Sequence, residues 1–335
     1  MPFSLTSHPS IMTSPVRAIR AFLLLVFGGA VTLMAQNSQV IVHPISKAYI
    51  VVDTTTKRII LSQEPDAKLP VGSLVGVATA CVADDWLEAT KQDRNTAIPI
   101  PPAAAQLQGG NPLNLLPGDF ISIRDAMFST LIGSDTVSAL AIAEHIGLQM
   151  WRKDGGKAKS GTDFFVTQMN VLAEANGMIR TSFVNPHGLD ERRGFSTAAD
   201  MARLTLYAIQ KPSLNFIVRQ EFRDVTFFRN NQPMSLRLLN TNKLLGQEGI
   251  DGFKTGGTAR AGECFIASAR RPDEVRQLNA NQAERIPYHL IAVTLNSTDR
   301  FEQTLQLIKT GFAEYERWVR GPRTLNPNEV LAMPN

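Results

Sequence analysis

Two cysteines, Cys81 and Cys264, are all that the 335 residues carry, and they lack the CxxC spacing of a zinc site. The sequence has no fold-defining metal pattern and no internal repeat, so no metal or other cofactor is expected and a solenoid is excluded. Charge is equally sparse. The formal net charge of +4 is small for this length, and nucleic-acid binding needs a concentrated basic face. Beyond the first 35 residues no apolar run is long enough to span a membrane. At 44% hydrophobic and 19% charged, the composition is that of a globular chain, which excludes wholesale disorder. The length leaves one to three domains open.

The N-terminus does carry a signal. Arg17 and Arg20 precede the apolar stretch Ala21-Phe22-Leu23-Leu24-Leu25-Val26-Phe27, which continues to Met34-Ala35 before the polar Gln36-Asn37-Ser38. A basic flank, a short apolar run and a small residue at the break describe a secretory signal over residues 1–35. Leu33 is a poor partner for cleavage after Ala35, Met12 offers an alternative start, and an uncleaved anchor is the other reading. The expectation is export to the periplasm or cell envelope.

From Ala48 to Asp53 and from Arg58 to Leu61 the pattern reads as a hairpin around Thr54-Thr55-Thr56-Lys57. Ser73 to Thr90 is helical, with Leu74, Val77, Ala78, Cys81 and Trp86 on one face. Residues 92–118 are rich in Pro, Gly, Asn and Ala and read as a long surface excursion. Helical pattern returns between Ile123 and Ile146, over Asp163–Asn176, and at a start near Ser196-Thr197, whose hydroxyls suit a cap. The Lys153–Gly161 stretch between is a solvated loop. From about Val225 strands dominate, with candidates at Gly252–Lys254, Gly262–Ala269 and Tyr288–Leu295 and a polar insertion at Arg271–Arg285. Glu302–Trp318 closes as an amphipathic helix. Strands, helices, strands and a last helix fit a sheet built from both ends of the chain with a helical lobe inserted.

Three distant segments point to chemistry. Val71-Gly72-Ser73-Leu74-Val75-Gly76 puts a serine at the mouth of an apolar helix, where the helix N-terminus favours negative charge. Gly133-Ser134-Asp135-Thr136 enters another helix. Asp251-Gly252-Phe253-Lys254-Thr255-Gly256-Gly257-Thr258 offers a cation, a hydroxyl and close backbone approach on a strand, which suits a terminal carboxylate.

These segments resemble the SxxK, SxN and KTG motifs of penicillin-recognising serine enzymes. The surrounding sequence is most similar to the D-Ala-D-Ala carboxypeptidases among the low-molecular-weight penicillin-binding proteins. Supporting segments are Phe165–Asn170, Thr181–Leu189, Asn240-Thr241-Asn242 and Ala261-Gly262. The resemblance implies an α/β (α+β) transpeptidase-like fold, a mainly antiparallel sheet flanked by helices with an all-helical lobe. It implies one such domain over residues 36–320, with 321–335 as a tail lacking the family's C-terminal β domain and membrane anchor. It makes Ser73 the nucleophile and Ser134 a proton relay. Lys254, Thr255 and Gly256 would grip the substrate carboxylate, and the N–H groups of Ser73 and Gly257 would form the oxyanion hole. The ligands implied are peptidoglycan stem peptides ending in D-Ala-D-Ala, with β-lactams as mimics.

The chain departs from the family twice. Gly76 stands where the first-motif lysine, the general base, should lie one helical turn after Ser73. Thr136 replaces the second-motif asparagine with a shorter side chain bearing one hydroxyl. Lys254 is the one nearby cation that could substitute as base, though family geometry sets it closer to Ser134 than to Ser73. Two readings follow. One is a slow carboxypeptidase; the other is a non-catalytic pseudoenzyme that binds cell-wall peptide or a protein partner. A class A β-lactamase would need a deacylating glutamate in a helical-lobe loop, and none is placed for it. His187, in Asn185-Pro186-His187-Gly188, reads as a turn residue. Cys81 and Cys264 read as two buried free thiols.

Overall fold

A computed structural model describes residues 46–154 and 158–334. The expected leader, residues 1–35, and the middle of the Lys153–Gly161 loop lie outside the described residues.

The chain opens with the antiparallel pair β1 (Ser46–Asp53) and β2 (Ile59–Gln63). Asp53 builds the turn between them, its carboxylate accepting from the Thr55 and Thr56 amides and the Thr56 hydroxyl. A 3-10 turn, Gly72–Val75, leads into α1 (Gly76–Thr90). The excursion that follows holds β3 (Ala97–Pro99) and returns through β4 (Phe120–Ser122) to α2 (Ile123–Ile132), α3 (Thr136–Asp154) and α4 (Gly161–Ala175). Then come α5 (Ala198–Ala208) and the short α6 (Pro212–Val218). The rest is the hairpin β5 (Phe222–Arg229) and β6 (Gln232–Leu239), then β7 (Ile250–Thr258), β8 (Gly262–Asn279), β9 (Gln282–Ser297) and α7 (Arg300–Arg320).

The main sheet has the order β2-β1-β9-β8-β7, every pair antiparallel. Its two faces serve two cores, as alternation along a strand requires. In β1, Ile50 and Val52 face the core shared with α1 to α5, while Val51 faces the other way. On that second face α7 lays Leu307, Ile308, Phe312, Tyr315 and Val319 against Phe265, Leu290 and Ala292. These α7 positions fall at i, i+1, i+5, i+8 and i+12, one stripe of a helix. The helical lobe carries in addition a second antiparallel sheet, β3-β4-β5-β6.

Two segments differ from the sequence reading. The polar insertion Arg271–Arg285 prolongs the two strands it lies between: Arg271 pairs with Tyr288, Glu274 with Ile286 and Asn279 with Gln282 across a long hairpin. Both of its faces are largely wet, so hydrophobic alternation had nothing to mark. The segment after 320 returns to the fold, with Leu331 buried, its amide donating to the Lys57 carbonyl, and Val330 bridging Arg58.

Candidate active site

The three motifs converge. Strand β7 lies against the 3-10 turn that carries Ser73: a methyl group on Gly256 would sit 2.9 Å from the Leu74 nitrogen, and one on Gly72 would sit 2.8 Å from the Gly257 nitrogen. Close backbone approach of this kind is open only to glycine. Ser73 is half-buried and Gly257 exposed, so this junction opens to solvent.

Ser134 enters from the break between α2 and α3. The break is built by Asp135, which is 1% exposed. Its carboxylate accepts from the Val137 and Ser138 amides and from the Ser129 and Ser138 hydroxyls, at 2.7–3.1 Å. Desolvation raises its pKa, against those hydrogen bonds. The cap terminates one helix and starts the next, and it holds Ser134 at a left-handed φ of 58°.

Lys254 joins the two lobes. It is 1% exposed, and its ammonium donates to Ser134 Oγ and to the Thr255 carbonyl, both at 2.8 Å. Among the described residues no carboxylate lies within ion-pair distance of it. Burial, followed by the nearby charge of Arg300, pulls its pKa down to about 7. Thr255 is tied back to the helical lobe. Its hydroxyl meets that of Thr241 at 2.6 Å, and Thr241 bonds the Ile132 carbonyl at the end of α2 through its amide and its hydroxyl.

Around Gly76, where the resemblance expects a lysine, the first atom of a side chain would be in close contact. A Cβ there would meet the Thr130 methyl at 3.2 Å and Lys254 Cε at 3.5 Å. The aliphatic part of Lys254 therefore borders the missing base's position while its nitrogen reaches Ser134. Thr136 is 2% exposed, and its amide and hydroxyl both donate to the Gly110 carbonyl, at 2.8 and 3.0 Å. The structure thus brings Ser73, Gly76, Ser134, Lys254, Thr255, Gly256 and Gly257 to one junction and turns the Thr136 hydroxyl toward the excursion.

Sequence reasoning missed two neighbours. Arg300, at the head of α7, donates to the Gly256 carbonyl at 2.6 Å and would lie 3.3 Å from a side chain on Gly257. A cation in the first turn opposes the helix dipole, and that misplaced charge was the available signal. Thr241 lay in a family-like segment but had no assigned contact. His187 behaves as a turn residue: its Nδ1 accepts from the Leu189 amide, and burial lowers its pKa to about 4. Cys81 and Cys264 are both free and buried.

Comparison with known proteins bears on the family and the fold. The family model described as D-alanyl-D-alanine carboxypeptidase matches residues 35–280. The chain is 29% identical over 279 residues to the D-alanyl-D-alanine carboxypeptidase DacC of Escherichia coli, covering 81% of this chain and 62% of that one. It is 25% identical over 275 residues to DacF of Bacillus subtilis, covering 81% and 63%. The chain thus spans under two thirds of the length of these relatives. Among solved structures, penicillin-binding protein D2 of Listeria monocytogenes with ampicillin bound matches at a TM-score of 0.64, 23% identity, and 81% and 98% coverage. A Streptomyces DD-transpeptidase matches at 0.66, 19% identity, and 80% and 97% coverage. These two likenesses concern the fold. With the family model matched across most of its length and the three motifs assembled at one junction, the chain belongs to the D-alanyl-D-alanine carboxypeptidase family.

Proposed function

We propose that this protein binds peptidoglycan stem peptides ending in D-Ala-D-Ala in the cell envelope, and that it acylates Ser73 only slowly. The observation that carries the reading is Lys254, a buried ammonium with no acidic partner among the described residues, beside Ser134, Thr255 and the Ser73 turn. A buried cation without a counterion attracts an anion of matching shape. A terminal carboxylate would take that place, held by Lys254 and the Thr255 hydroxyl with Arg300 adjacent. The Ser73 and Gly257 amides would then meet the penultimate carbonyl as an oxyanion hole. The leader-like N-terminus supports export to where such peptides occur. No described helix is long and apolar enough to cross a membrane.

Slow chemistry follows from Gly76. Losing a positioned general base costs about 10²–10⁴-fold. What remains for proton transfer is Lys254, whose ammonium is engaged by the Ser134 hydroxyl. The carboxylate grip does not depend on Gly76, so binding outlives turnover.

The test uses purified protein and a fluorescent penicillin. Wild type should label slowly, on Ser73 and not in Ser73→Ala, and Gly76→Lys/Thr136→Asn should label faster. Wild-type labelling as fast as that of family members with an intact first motif would sink the slow-acylation reading. If a D-Ala-D-Ala peptide neither binds nor competes, the ligand reading fails.

A further inference from the structure

The excursion between α1 and α2 has a framed base and a bare tip. Its ends are clipped by paired backbone bonds between Ile100 and the Gly118–Asp119 segment. Inside, Ala104, Leu113 and Leu115 are buried, and Asn111 bonds both the amide and the carbonyl of Leu115. The tip, Gln108-Gly109-Gly110, is exposed. Its polar hold on the second motif is the Gly110 carbonyl, which accepts from the Thr136 amide and hydroxyl.

Gly109 is pressed harder still. A Cβ there would lie 2.7 Å from both Thr136 Cγ2 and Thr136 Oγ1, and 3.0 Å from Leu189 Cδ2. Its φ is not left-handed, so the backbone would accept any residue and only the space refuses one. On Gly110, a Cβ would lie 2.8 Å from the Ser134 carbonyl oxygen. Leu189 in turn follows Gly188, whose backbone abuts Gly72 and Ser73. Asp190 accepts from the Thr258 hydroxyl and the Arg260 amide at the end of β7. A continuous line of contact therefore runs from the head of α3, over the tip, to the Leu189 loop and the far end of β7.

We infer that Thr136 is a latch that closes this strap over the second motif, and that the strap sets the size of ligand the cleft accepts. A side chain facing the cleft could contact a ligand amide; the Thr136 hydroxyl instead holds Gly110. A ligand with a bulky group beside Ser134 must displace the tip, and a compact one need not. The selectivity claim rests on the ligand reading above, whereas the latch itself does not.

Two variants test it. Thr136→Val keeps the shape and removes the hydroxyl, and Gly109→Ala forces the tip off Thr136. Hydrogen exchange of the Thr136 amide should quicken about tenfold in Thr136→Val and more in Gly109→Ala, since each loosens the bond that protects it. In both, the ratio of Ser73 acylation rates for a penicillin with a large acylamino side chain over 6-aminopenicillanic acid should rise at least several-fold above wild type. Unchanged exchange in both variants overturns the latch. Quickened exchange with an unchanged ratio overturns the size filter. If neither compound acylates any variant, the size filter falls together with the slow-acylation reading, peptide binding still decides the ligand reading, and the exchange data alone still decide the latch.

Discussion

At the scale of single residues, Lys254 dominates. Its pKa of about 7 against the ordinary 10.5 has two consequences. Between those values the folded chain has released a proton that the unfolded chain still holds, so stability rises with pH from about 7 to about 10.5 and is lowest, for this group, below 7. In Lys254→Met that rise should flatten, as read from urea midpoints across the range. Carboxylate binding should move the opposite way. The charged amine is the attractive form, so affinity for a D-Ala-D-Ala peptide should fall about five- to tenfold between pH 6 and pH 8. A pH-independent Kd would place the carboxylate elsewhere. The identity of Lys254 was legible in Lys254-Thr255-Gly256. Its burial was not, because that depends on a partner lobe more than 100 residues away along the chain. Arg300 was harder still, since a lone arginine in the first turn of a helix belongs to no motif.

At the scale of elements, the α2–α3 junction does the positioning. Ser134-Asp135 reads from sequence as a capping pair, and the structure keeps that meaning while adding the left-handed Ser134. Asp135→Ala would remove the cap and orphan the buried Ser129 and Ser138 hydroxyls, an expected loss of about 2–3 kcal/mol in denaturant unfolding. Labelling at Ser73 should fall as well, because Ser134 loses its anchor. A neutral result would mean that the junction is held by packing alone. Helices α4 and α7 were legible because each buries one face, which writes a 3.6-residue period, whereas α1 is buried continuously from Gly76 to Asp84 and showed as an apolar run. The outer hairpin of β8 and β9 was not legible. It is held by ladder bonds and by cross-strand pairs such as the Tyr288 hydroxyl on Glu274, which leave no hydrophobic period. The small strands β3 and β4 hid in the excursion for a related reason: at three residues each they are too short to show alternation.

At the scale of the whole molecule, the two faces of the main sheet separate tasks. One carries the motif-bearing helices and the other is sealed by α7. Phe312, fully buried on the sealed face, should cost about 3–5 kcal/mol when changed to Ala. Ligand affinity per folded molecule should stay unchanged, since Phe312 lies in the core behind β8 and β9. Calorimetry with titration of the folded fraction separates the two, and a matching loss of affinity would show that the faces are coupled. The ordering of strands and helices announced this layered plan in the sequence, whereas the second sheet, β3-β4-β5-β6, did not show because its strands come from both sides of the helical block.

The seam between β1 and β9 joins Ser46 to Ser297. A ribosome must therefore deliver nearly the entire polypeptide before the central sheet can close, and pairing at such sequence distance is slow. Until then the central sheet stays open, a state that a narrow translocation pore could accept and a finished sheet would refuse.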